Sequence, residues 1–390
     1  MKNTSAEVRI PAGVTILAAG TFVTGTSEFM PAGILPDIAA EYRVSVPDAG
    51  LLISSFAMGM IIGALGSLVI SRWIPRITML LTALALLGIG HVIGAFTSDY
   101  LIFLFSRAVI AIAAGAFVTA ATEFAVAITP VAGRASAVAR LLSGMVAANV
   151  AGVPISAFIS NQLGWRAVFI GMFVLSVLTA SALYLTTDEL DRDGGKQAQA
   201  GIATAIWKGD LILAYIMIIV YEIAVVSLLT FVKPFLIECA EFDASEIPAA
   251  LAAFGVAGFV GLRISGRYAD RWPWRILGVS LFCLGLSAFG LRFIGHQNIA
   301  ITGIGLIAFG MSAFAAAPPL NLRSFTLSNG SSVLASAGNI TAFNIGNLCG
   351  PLIAGWSIHI WSPTAIPLVS SLAAFLALGL MFISKSACGR

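Results

Sequence analysis

Twelve apolar runs, each long enough to cross a lipid bilayer, dominate this chain. They fall at about 12–36, 48–70, 77–97, 100–127, 136–160 and 165–186, then at about 211–236, 247–269, 274–295, 298–320, 333–358 and 364–384. A membrane span needs roughly 20 mainly apolar residues. In hydrocarbon every backbone N–H has to bond within the protein, so runs of this length fold as helices. One sizeable polar stretch, TTDELDRDGGKQAQAGIATAIWKGD at 186–210, parts the first six runs from the last six. The chain is 59% hydrophobic and 10% charged, with mean hydropathy +0.98, more apolar surface than a water-soluble core hides. The first run is too long, and too closely followed by a second, for a cleaved signal peptide. The expected fold is an all-α polytopic membrane protein of twelve transmembrane helices. Two six-helix bundles, 1–186 and 210–390, are joined by a solvated linker at 187–209.

Basic residues set the orientation. With the N-terminus inside, 16 of the 21 Lys and Arg fall on the cytoplasmic side, among them Lys2, Arg9, Arg72, Arg76, Arg134 and Arg140. The opposite topology inverts this bias, so both termini are expected in the cytoplasm. The tryptophans stand at the ends of the runs, as an interfacial belt requires. The two sets also repeat: SRWIPR at 71–76 recurs 199 residues later as DRWPWR at 270–275. Parallel six-helix repeats around a midplane pathway are an architecture of secondary transporters.

Other classes find little support. A net charge of +3 is too small to point to nucleic acid. Cys239, Cys283, Cys349 and Cys388 have no metal spacing, and His91, His296 and His359 are scattered. There is no GxSxG, no phosphate loop and no dinucleotide fingerprint, so neither enzyme chemistry nor a cofactor or metal is indicated.

Charges inside the spans narrow the reading. Glu28 lies 8 residues before Pro36, where the first helix is expected to end, which puts it roughly 12 Å deep. A charged side chain there costs at least about 2.5–3.5 kcal/mol, so it is expected to be paired, cavity-facing or functional. Thr21 and Thr24 precede it at i−7 and i−4, giving a polar stripe expected to line a pathway. Arg107, 7 residues into the fourth run, has a similar depth. An arginine beside an acid and apolar surroundings pull the acid's proton affinity in opposite directions, the competition a proton-exchange site needs. A static ion pair fixing two helices is the alternative. Glu222, 11 residues into the seventh run with Tyr215 at i−7, suits a cationic amphiphile through charge and cation–π contact. Glu123 lies 16 residues beyond Arg107, about 160° around the helix and close to Pro130. The amides Asn149, Asn321, Asn339, Asn344 and Asn347 either hydrogen-bond a neutral hydroxylated ligand or join helices.

GTSEFMPAGILPDIA at 25–39, the Arg107 run, GRASAVARLLSG at 133–144, GVPISAFISNQLGWRAVF at 152–169, GRYADR at 266–271 and NITAFNIGNLCGPLIAG at 339–355 together resemble the major facilitator superfamily. Within it they resemble the twelve-helix drug/proton antiporters, including bacterial chloramphenicol-resistance, arabinose-efflux and purine-efflux exporters. The resemblance covers nearly the whole chain. It implies a monomer in a bacterial inner membrane, driven by the proton gradient, with helices 1 and 4 lining a central cavity. In that family a cytoplasmic motif of glycine, aspartate-arginine and a further basic residue gates the pathway. The second half matches it at Gly266, Asp270, Arg271 and Arg275; the first half offers Arg72 and Arg76 but has Ser71 where the acid belongs. The antiporter glycine series of helix 5 is approximated by Gly144, Gly152 and Pro154, which let helices approach and bend. The implied function is proton-coupled efflux of small amphiphilic drugs, amphenicol type first. An exporter of a sugar or purine nucleoside and an uncoupled facilitator are the alternatives.

Overall fold

The computed structural model describes residues 11–71, 73–130, 133–186, 209–240, 242–269, 271–293, 299–327 and 332–388. All regular structure among them is helical. The first half holds α1 (Ala12–Phe29), α2 (Pro31–Tyr42), α3 (Val46–Ile70), α4 (Arg76–Phe96), α5 (Tyr100–Ala127), α6 (Arg134–Ala147), α7 (Val153–Leu163) and α8 (Trp165–Leu185). The second half holds α9 (Gly209–Thr230), α10 (Val232–Ala240), α11 (Ile247–Tyr268), α12 (Pro273–Phe293), α13 (Ile299–Leu327), α14 (Ser332–Ile360) and α15 (Ile366–Cys388). Ten of the described helical spans are long and apolar enough to cross a membrane. The two other expected spans are helical as well: the first is divided into α1 and α2, and the eleventh is α14.

Local chemistry accounts for the boundaries. Asp99 caps α5, its Oδ1 accepting from the N–H groups of Leu101 at 2.7 Å and Ile102 at 3.1 Å. Gly164 turns the chain between α7 and α8 at φ +82°, a conformation that suits glycine. The first helix does not end at Pro36, as expected. It breaks at Met30, and Pro31 opens α2, with Pro36 inside it. Proline fits the first position of a helix, where no N–H is needed, so Pro31 marks the break and Pro36 is absorbed within the following helix. The fifth span is interrupted too, by a π-helical segment, Ala148–Gly152, between α6 and α7.

Packing defines two compact units. One comprises residues up to Glu28, 59–152 and the chain from Arg166 to the end of α8; the other comprises 29–58, 153–165 and the described chain from Gly209. The second unit therefore gathers α2 and α7, from the first half of the sequence, onto α10 and α11 of the second half. Residues 187–208 of the expected linker lie outside the described residues.

In the first unit α5 packs along α4 and against α6. Gly144 of α6 meets α1 so closely that a Cβ would strike the Ala18 carbonyl oxygen and the Thr21 hydroxyl. In the second unit α9 packs between α14 and α15, and α11 along α13.

Candidate functional site

The first unit brings Glu28, Arg107 and a third group, His91, to one place. Arg107 on α5 is fully buried, and its Nη1 donates to the Ser27 carbonyl oxygen at 2.8 Å. Glu28, the next residue along α1, is 6% exposed and interacts electrostatically with the guanidinium. His91 on α4 is also fully buried, and its Nδ1–H donates to the Leu87 carbonyl at 2.7 Å. With the ring neutral, Nε2 is then the acceptor, and Ser27 Oγ–H donates to it at 2.6 Å. Phe169 of α8 closes the cluster, its ring centroid 5.7 Å from that of His91. An acid, a base and an oriented imidazole are thus held out of water by apolar walls. Such an arrangement can exchange a proton only when its surroundings move.

The rest of the expected stripe has a different use. Thr21 Oγ donates within hydrogen-bonding reach of the carbonyl oxygens of Leu141 at 2.6 Å and Ala18 at 2.9 Å. Thr24 Oγ donates to the Thr21 carbonyl at 3.0 Å. Both threonines are buried, and their hydroxyls join α1 to α6 and to its own backbone. Asn149, in the π segment, donates to the Met145 carbonyl at 3.2 Å. A Cβ at Gly152 would strike the Thr26 hydroxyl, and Pro154 stands just inside α7. Glu123 is brought electrostatically to Arg76, at the start of α4, and not into the Arg107 cluster.

The second unit places Tyr215 and Glu222 of α9 on one face, against α14. Gly338 receives the Tyr215 ring and Gly346 the Glu222 stem, with no room for a Cβ at either glycine. Tyr221 donates to the Ala313 carbonyl at 2.7 Å. The amides form an oriented chain. Asn321 Nδ2 donates to the Ala317 carbonyl at 3.0 Å, and Asn339 Nδ2 donates to Asn321 Oδ1 at 2.7 Å. Asn344 Nδ2 donates to the Ile340 carbonyl at 2.9 Å. Because carbonyls only accept, each amide's orientation is fixed. The Oδ1 atoms of Asn339 and Asn344 accept no hydrogen bond from any described residue.

Of the expected gating residues, Arg72 and Asp270 lie outside the described residues. Gly266 ends no tight contact, since a Cβ there meets nothing within 4 Å. Arg271 lies 4.8 Å over the Trp272 ring, and Arg275 is in the first turn of α12.

Sequence reasoning missed two groups of residues. Ser27 and His91 are 64 positions apart, and only the proline four residues after Ser27 hints at a carbonyl in need of a donor. The other group is in the second unit, where Lys233, 2% exposed, pairs with Asp37 at 2.7 Å. Ser160 donates to the same carboxylate oxygen at 2.9 Å, and Trp165 Nε1 donates to Glu41 at 2.6 Å. A lysine inside an apolar run was the available signal.

Comparison with known proteins agrees with this architecture. The sequence model of the Major Facilitator Superfamily matches residues 17–333. The chain is 30% identical over 370 residues to the inner membrane transport protein YdhP of Escherichia coli K12, covering 94% of each chain. It is 31% identical over 380 residues to the chloramphenicol resistance protein of Streptomyces lividans, covering 94% of this chain and 96% of that one. It is 25% identical over 354 residues to a protein of Helicobacter acinonychis named "Probable sugar efflux transporter", covering 89% and 88%. The ten described helices long and apolar enough to cross a membrane and these matches together identify the chain as a multi-pass membrane transporter that belongs to the Major Facilitator Superfamily.

Proposed function

We propose that the protein is a proton-coupled exporter of small amphiphilic drugs, amphenicol type first, in a bacterial inner membrane. Two six-helix halves, 1–186 and 210–390, alternate about a midplane site, with both termini cytoplasmic. The observation that carries this reading is the buried Glu28–Arg107 pair, a nearly buried acid and a fully buried base that interact electrostatically. Proton entry neutralises Glu28, loosens its pairing with Arg107 and favours release of cargo. Loss of the proton on the cytoplasmic side restores affinity. Exchange follows when proton and cargo each discriminate between the two conformations. The relative named a chloramphenicol resistance protein supports the choice of cargo.

A sugar or nucleoside is the second reading. It is favoured by the relative named a sugar efflux transporter and by the two acceptor oxygens of Asn339 and Asn344. The test is chloramphenicol accumulation in everted membrane vesicles with and without a protonophore. Accumulation that the protonophore abolishes, and that Glu28→Gln loses while remaining folded, is the expected result. Accumulation that ignores the protonophore assigns an uncoupled facilitator, and coupling retained in Glu28→Gln removes Glu28 from the mechanism. Competition by arabinose or hypoxanthine, with none by drugs, moves the assignment to the second reading.

A further inference from the structure

In an uninterrupted helix the carbonyl of residue 27 accepts the N–H of residue 31. Residue 31 is Pro, which has none, and the helix breaks at Met30 beside it. The Ser27 carbonyl therefore enters the membrane interior without its helical donor, a costly state in a medium without water. Arg107 Nη1 fills the vacancy at 2.8 Å. The side chain of the same residue is fixed independently: Ser27 Oγ is held by His91 Nε2 at 2.6 Å, and the imidazole is held in turn by the Leu87 carbonyl at 2.7 Å. One serine thus has its backbone and its hydroxyl tied to two different helices, α5 and α4.

We propose that Ser27 and His91 are a positioning pair that anchors Arg107 on a carbonyl released by Pro31, so that the guanidinium keeps its place whatever the charge on Glu28. The proposal rests on the reading of Glu28 and Arg107 as the exchange site. A guanidinium held by a carboxylate alone is set free when that carboxylate takes a proton. Here a backbone dipole, which no proton can neutralise, retains it. The arginine then faces either a charged Glu28 or an acceptor on the cargo from the same position. The site loads one or the other without rebuilding itself. The charged and titratable groups that meet here are Glu28 from α1, His91 from α4 and Arg107 from α5. From α8 comes the Phe169 ring, while Arg166 Nη2 is directed to the Thr97 carbonyl at 2.8 Å.

The test needs no knowledge of the cargo. The thermal unfolding midpoint of the purified full chain in detergent is followed across pH, and the profile of Glu28→Gln is subtracted from that of the wild type. The difference isolates the titration of Glu28. Pro31→Ala returns an N–H to the Ser27 carbonyl and releases Arg107 onto Glu28, favouring the carboxylate. The expected result is a shift of the difference profile toward acid by about half a pH unit or more. Ser27→Ala and His91→Phe shift it the same way by less. His91→Gln, whose amide oxygen still accepts from Ser27, restores the wild-type profile. A profile unchanged in Ser27→Ala and His91→Phe, both measurable even where Pro31→Ala does not fold, overturns the positioning role alone. A wild type whose profile matches Glu28→Gln overturns the exchange reading, and the role of the pair with it.

Discussion

Lys233 and Asp37 form an ion pair of unequal halves: the lysine side chain is 3% exposed and the aspartate 39%. Removing the acid strands a buried cation, whereas removing the lysine leaves an aspartate that still reaches water and still accepts from Ser160. Asp37→Asn is therefore expected to destabilise the protein by about 1–3 kcal/mol, less than for a fully buried pair, and Lys233→Met by clearly less. The double variant recovers most of the loss. Thermal unfolding of the four proteins as a cycle measures the coupling; equal and additive single losses contradict it. At this scale, burial was legible and partnership was not. Glu28 and Arg107 announce themselves as charges within apolar runs, yet Glu123 meets Arg76, and Ser27 meets a histidine on another helix. Hydrophobicity reports how deep a residue lies, while partners depend on how helices rotate against one another, which a single run does not encode.

Helices were the most legible elements, because backbone satisfaction in lipid leaves a long apolar run no other form. Their interruptions were harder. Two prolines five residues apart compete to end the first span, and Pro31 prevails because it opens α2 while Pro36 is carried inside it. The fifth span turns π-helical over Ala148–Gly152, where the sequence offered Gly144 before it, Gly152 at its end and Pro154 just beyond. Glycines that read alike behave differently. Gly144 faces the Ala18 carbonyl, a backbone atom that cannot step aside, so Gly144→Ala is expected to cost about 1–3 kcal/mol and to lower the yield of folded protein. Gly266 meets nothing within 4 Å, and Gly266→Ala is expected to leave stability unchanged or to raise it by about 0.4–1 kcal/mol. Size-exclusion profiles and melting curves of the two variants side by side test the contrast.

For the whole molecule, the internal repeat predicted from one short motif extends to the elements. Helices that start at Val46, Arg76, Tyr100 and Arg134 have counterparts starting at Ile247, Pro273, Ile299 and Ser332. Packing nonetheless groups α2 and α7 with the second half, since the contacts between helices do not follow the boundary of the repeat. The charge bias predicts a cytoplasmic C-terminus: a fluorescent protein fused after Arg390 is expected to fold and fluoresce, and an alkaline phosphatase fused there to stay inactive. The reverse pattern would invert the topology. Where Gly144 lies on the backbone of α1, the joint between helices depends on a missing side chain at one position and on the Thr21 hydroxyl at another. Side chains such as Tyr215, Glu222 and Asn344 take no part in that joint. Substitutions in the second unit therefore leave that joint as it is, whereas any residue larger than glycine at 144 forces the two helices of the first unit apart.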